Sequence, residues 1–211
     1  PPEQILGMTF TNKAAREMRE RLASLVDAAV ARRVTLGTFH SFCIRILRRE
    51  IAKLGYLPAF TIADDSDQQG LLKQAGGALG CAQGEFPLST VQAMISGWKN
   101  RLIQPEEARR SADTTFESVA AQIYEEYQLL LEMQNSLDFD DMLMLVYRLF
   151  TEHPDVLERY RDHYRYLLID EYQDTNAAQF TIVKQLAGDR RNLCVVGDDD
   201  QSIYSWRGAD I

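Results

Sequence analysis

In the stretch 166-YLLIDEYQDTN-176 an apolar run passes directly into two adjacent carboxylates, Asp170 and Glu171, with a further one at Asp174. An unpaired carboxylate is costly to bury, so the pair belongs at an exposed strand tip or beside something positive. In parallel α/β sheets, ligands bind outside the carboxyl ends of the strands. An apolar strand ending in Asp-Glu there suits nucleotide hydrolysis. The aspartate holds Mg²⁺, usually through water, and the glutamate polarises a water for attack on a γ-phosphate. The same residues also fit a strand-end turn whose carboxylates cap the following helix.

A second polar string, 197-GDDDQSIYSWRGAD-210, follows the next apolar run. Gln201 is placed to reach a γ-phosphate or the attacking water. Tyr204, Trp206 and Arg207 form a compact set of two aromatics and a cation, the make-up of a base-stacking platform; core packing is the alternative for the two rings. Upstream, 9-TFTNKAA-15 offers Asn12, Lys13 and a helix N-terminus to backbone phosphates. Phe10 reads as either core or a wedge between bases. In 38-TFHSF-42, Thr38, His40 and Ser41 are hydrogen-bonding groups ahead of another helix; a lone histidine in such a place is also commonly structural.

These payloads need elements to carry them. Residues 5–10, 34–40, 165–170 and 192–198 read as strands. Helices are expected over 14–30, where Met18, Leu22, Leu25 and Val26 recur at helical spacing, and over 41–55, ending at Gly55. The opening is therefore β-α-β-α, the grammar of a parallel sheet. Between residues 56 and 150 no strand is evident. Helices are expected over 66–77, 88–100, 105–112, 114–135 and 138–150, with a capping box at Thr114 and Glu117. Helices over 155–163 and 176–188 accompany the returning α/β pattern.

The chain has 211 residues and a net charge of −8, which alone argues against a nucleic-acid partner. The charge is unevenly spread, however: residues 1–60 carry ten Lys/Arg against five Asp/Glu. An anionic partner could be met locally there, although solvated helix faces with pairs such as Arg16–Glu20 and Glu17–Arg21 explain the same residues. No apolar run approaches the length of a membrane span. The opening PPEQILGMTF lacks the pattern of a signal peptide. Cys43, Cys81 and Cys194 are too scattered for a metal site and are expected to be plain thiols.

The ordered set TFTNKAAREM, TFHSFCIRILRRE, LDFDD, LLIDEYQDTN and VVGDDDQSIYSWRGAD resembles the UvrD/PcrA/Rep family of superfamily 1 DNA helicases, from about Ile5 to the last residue. The resemblance implies an α/β fold: an incomplete RecA-like parallel sheet of the P-loop NTPase type with an all-helical insertion domain. Residues 1–44 and 151–211 correspond to the first motor domain and 45–150 to the insertion. It implies that Asp170 binds Mg²⁺, that Glu171 is the general base, and that Gln201 senses the γ-phosphate of ATP. Phe10, Tyr204 and Trp206 would stack on bases, with Asn12, Lys13, Thr38, His40 and Arg207 along the DNA track. Motion would be 3′ to 5′ on single-stranded DNA, with single-strand/duplex junctions and repair or replication proteins as partners, in the bacterial cytoplasm at the nucleoid.

Two family features are missing from these 211 residues. The phosphate-cradling GxxxxGK[ST] loop would precede TFTNKAA, where this chain has PPEQILGM, and these residues include no second motor domain. The chain is therefore expected to be an internal piece that does not hydrolyse ATP alone. Its sheet is expected to have an open edge or gap. A truncated, non-catalytic module binding single-stranded DNA or a partner is the alternative; a fused helicase-nuclease motor is a third reading, less favoured by YSWRGAD and LDFDD.

Overall fold

A computed structural model describes residues 1–80, 87–198 and 200. Its centre is a parallel sheet in the order β2-β1-β5-β6, made of β1 (Ile5–Thr9), β2 (Thr35–Thr38), β5 (Tyr166–Ile169) and β6 (Leu193–Val195). The register sets Thr9 beside Thr38, Met8 beside Ile169 and Ile169 beside Val195. All four carboxyl ends therefore open onto one edge, which brings the polar strings together.

Period-two alternation fixes which face is covered. In β5, Leu167 and Ile169 are buried while Tyr166 and Leu168 are exposed. With Leu6 and Met8 of β1, the inward residues pack against α3 (Phe39–Glu50), α8 (Asp141–Glu152), α9 (Pro154–His163) and α10 (Ala177–Ala187). Phe42, Ile46, Val146, Leu149 and Ile182 sit in this core, each contributing about 1.5–3 kcal/mol by leaving water. Cys43 is buried among them, and burial raises its thiol pKa. β6 is an edge strand, with Leu193 and Val195 exposed.

The expected helix over 14–30 is two helices, α1 (Asn12–Leu25) and α2 (Ala28–Ala31). Asp27 accepts a hydrogen bond from Ala29 N–H and so starts a new turn, which the continuing apolar spacing hides. The apolar stripe of α1 is only partly covered: Ala15 is buried, but Leu25 is 80% exposed. The next helix begins at Phe39, slightly ahead of the expected start at Ser41, because Thr38 accepts from Ser41 N–H as its N-cap. Gly55 ends the following 3₁₀ turn at φ 90°, a conformation that favours glycine.

A second apolar core lies in the inserted region, built by α4 (Asp65–Ala78), α5 (Leu88–Asn100), α6 (Pro105–Arg110) and α7 (Thr115–Met133). Capping boxes start α4 at Asp64/Asp67 and α7 at Thr114/Glu117. Among its described residues the one strand pairing is a two-residue parallel pair, β3 (Thr61–Ile62) with β4 (Ser136–Leu137), which ties its two ends together. Residues as far into the expected insertion as Ile51, Tyr56 and Phe60, and all of α8's buried stripe from Met142 to Phe150 except Met144, belong to the sheet's core instead.

A buried ion cluster joins the two cores. The Lys99 ammonium, fully buried at the end of α5, donates to Asp138 at 2.6 Å and to Asp141 at 2.7 Å. Tyr127 O–H donates to Asp138 at 3.0 Å. Burial disfavours the charged lysine, but the two carboxylates outweigh it and hold its pKa well above the usual lysine range. Burial, then the neighbouring Asp138 charge, push Asp141 up to about 7.

Candidate functional site

The acidic pair sits where β5 ends. Asp170 N–H donates to the Met8 carbonyl at 2.9 Å, continuing the sheet ladder to its last rung. Glu171 then turns into the left-handed region, at φ 55° and ψ 45°. A non-glycine residue there costs about 1–3 kcal/mol and persists only where its surroundings enforce it. The enforcing contacts are local. Asp174 N–H donates to the Glu171 carbonyl at 3.0 Å, and Gln173 Nε2 donates to Glu171 Oε2 at 2.7 Å.

Gln173 also reaches the neighbouring strand end, where its Oε1 accepts from Asp198 N–H at 3.1 Å. The fit is close: a Cβ on Gly197 would stand 2.7 Å from that oxygen. Tyr172 N–H donates to the Val196 carbonyl at 2.9 Å. The tips of β5 and β6 are thus one hydrogen-bonded unit with Gln173 at its centre. Sequence reasoning missed Gln173; its one signal was its place two residues after Glu171.

The strand-end loop next turns away from Glu171 towards a cleft of about 990 Å³ between the sheet edge and the insertion. Asp174 lines it, buried, with Oδ1 lacking a hydrogen-bond partner; burial and the Glu171 charge raise its pKa. Phe10 and His40 line the same cleft, so these two expected site residues are brought together. Phe10 is half-buried, between the two readings of core and wedge. Facing them is Phe139 of the LDFDD segment, 51% exposed and stacked on His40 with ring centroids 3.7 Å apart. Phe139 was also missed as a site residue, although an aromatic flanked by aspartates in LDFDD is an unusual core pattern.

The other expected residues are dispersed. Asn12 and Lys13 are exposed on the first turn of α1, where Lys13 pairs loosely with Glu17. The expected Arg16–Glu20 pair is present at 3.8 Å. Thr38 is buried, its hydroxyl used in capping α3. Gln201, Tyr204, Trp206 and Arg207 lie outside the described residues, as does Cys81.

Hard oxygen donors at a strand tip fit Mg²⁺, which commonly takes one or two protein carboxylates and completes its shell with water and phosphate. No group of three or more potential ligands is assembled among the described residues.

Residues 1–211 match the UvrD/REP helicase N-terminal domain family. The chain belongs to that family. It is 48% identical over 210 residues to the ATP-dependent DNA helicase PcrA of Leuconostoc citreum, covering all of this chain and 28% of that protein. The PcrA helicases of Bacillus subtilis (strain 168) and Staphylococcus aureus (strain COL) are 46% and 45% identical, again over the whole chain and 28% and 29% of their own lengths. The chain thus spans less than a third of the curated relatives it matches. Membership accords with the expected fold class, a parallel RecA-like sheet carrying a helical insertion. No described helix is long and apolar enough to cross a membrane.

Proposed function

We propose that this chain supplies the Mg²⁺-binding and general-base half of the ATP site, and part of the single-strand track, of a DNA helicase that moves 3′ to 5′. The observation that carries the reading is Glu171: a carboxylate at the end of a parallel strand, held in the left-handed region by Gln173. Glu171 accepts a proton from the attacking water as the water oxygen bonds to the γ-phosphorus and the bond to the bridging oxygen breaks, releasing ADP and phosphate. Asp170 holds the Mg²⁺, which neutralises phosphate charge when bound. Gln201 follows the adjoining strand end and responds to the γ-phosphate.

Phe10, Tyr204 and Trp206 stack on bases, while Asn12, Lys13, His40 and Arg207 lie along the strand; Thr38, buried in capping α3, is left out of the track. The cleft favours bases over phosphates, since among the described residues Asp64, Asp65, Asp138, Asp140 and Asp174 line it against Arg101. The insertion is drawn best at about 61–137, between the two ends tied by β3 and β4, with α8 assigned to the motor. Single-strand/duplex junctions are the proposed substrate, with repair or replication proteins as partners in the cytoplasm.

The test uses the full polypeptide that the gene encodes. ATP hydrolysis is measured with Mg²⁺, with and without single-stranded DNA, and unwinding is compared on duplexes with 3′ or 5′ tails. The reading expects DNA-stimulated hydrolysis and unwinding from 3′ tails. Hydrolysis indifferent to DNA, or unwinding from 5′ tails alone, would overturn it.

A further inference from the structure

The loop that follows Glu171 is bonded to the inserted helices through one amide. Asn176 caps α10: its Oδ1 accepts from Gln179 N–H at 2.9 Å. Its Nδ2 donates to Oδ1 of Asn100, the last residue of α5, at 2.5 Å. The Asn100 Nδ2 in turn donates to Asp140 at 3.0 Å, besides its own-helix contacts with Ser96. Asp140 is the residue after Phe139, and the acids on either side of these two, Asp138 and Asp141, are both held by Lys99. Two consecutive residues of α5 therefore fasten every carboxylate around the aromatic that stacks on His40, and the second also grips the strand-end loop.

We infer that Asn100 is a positioning residue that couples the Glu171 loop to the Phe139–His40 stack. This rests on the reading of the chain as a DNA-driven ATPase motor. The polar atoms of Asn100 are fully committed: its carbonyl accepts from the nucleotide-side loop and its amide donates to the aromatic-side loop. A shift of the aromatic pair when DNA enters is passed through one side chain to Asn176, five residues from Glu171. Such a link contributes nothing to hydrolysis without DNA. It sets how strongly DNA alters hydrolysis.

The test compares wild type with Asn100→Ala, Asn100→Asp, and Asn100→Asp combined with Asp140→Asn, all in the full encoded polypeptide. Asn100→Asp sets a carboxylate against Asp140. The double variant restores a donor on the other side while still accepting from Asn176. With oligo-dT as the probe, Asn100→Ala is expected to raise the DNA concentration for half-maximal stimulation about five-fold, the factor one hydrogen bond's net worth carries. Hydrolysis without DNA stays at the wild-type rate. Asn100→Asp shows a larger rise, and the double variant reverses most of it. Proportional loss of basal and stimulated rates with a lowered melting temperature would make Asn100 merely structural and overturn the inference. So would unchanged stimulation in both single variants. Absence of stimulation in wild type would instead overturn the underlying reading.

Discussion

Replacing Lys99 by Met should destabilise the protein severely, and more so at alkaline pH. Lys99 is wholly buried between Asp138 and Asp141, at 2.6 and 2.7 Å. Methionine preserves the unbranched stem but leaves two buried carboxylates facing each other. Removing one partner of a buried ion pair costs about 3–5 kcal/mol. For a chain of this size each kcal/mol shifts the melting temperature by about 2–4 °C, so a fall of about 6–20 °C is expected. The cluster carries one more carboxylate than ammonium, and Asp141 titrates near 7 because of burial and the Asp138 charge. Its ordinary value is 3.8, so between there and about 7 the folded form holds a proton that the unfolded form has released. Stability from this group is therefore present in acid and lost as pH rises through 7, with a slope of at most about 1.4 kcal/mol per pH unit. Thermal melts followed by far-UV circular dichroism at pH 5 and pH 8 read both effects. Lys99→Met should lose more at pH 8 than at pH 5, and Asp141→Asn should flatten the wild-type slope. A shift of Lys99→Met below about 2 °C at both pH values would refute the reasoning, since it lies under the smallest loss a broken buried pair implies.

Further expectations concern activity in the full encoded polypeptide. Gly197→Ala places a methyl group 2.7 Å from the Gln173 oxygen, so the partner of Glu171 must move. Turnover should fall about 10- to 100-fold with ATP affinity little changed, whereas an unaltered rate would remove Gln173 as the anchor. Trp206→Ala should weaken binding to a fluorescent oligo-dT by about 1–3 kcal/mol if the ring stacks on a base. Unchanged DNA affinity together with a lowered melting temperature would place the ring in the core.

The strands were legible because each is a short apolar run stopped by a polar string, and β1, β2, β5 and β6 fall within the expected spans. The Thr114/Glu117 capping box was legible because both partners lie within one turn. What escaped notice depends on distant partners. Lys99 ends a helix in the sequence WKN, where a lysine ordinarily serves the helix dipole in water. Only the fold brings Asp138 and Asp141 to it. Asn100 and Asn176 are unremarkable polar residues until α5 and α10 meet. The β3–β4 pair is too short to leave a period. At the site, Asp170 and Glu171 were legible as a local pattern, whereas the clasp by Gln173 and the stack of Phe139 on His40 depend on contacts between separate strands and loops.

The central claim is that Glu171 is the general base of an ATP-hydrolysing site. Its most direct test is Glu171→Gln in the full encoded polypeptide, with ATP turnover on single-stranded DNA and equilibrium binding of ATP measured on the same preparation. The substitution keeps the side chain's shape and removes its basicity. Turnover should fall by about 10²–10⁴ while ATP binding is retained. Near-normal turnover, or loss of ATP binding in step with turnover, would contradict the account.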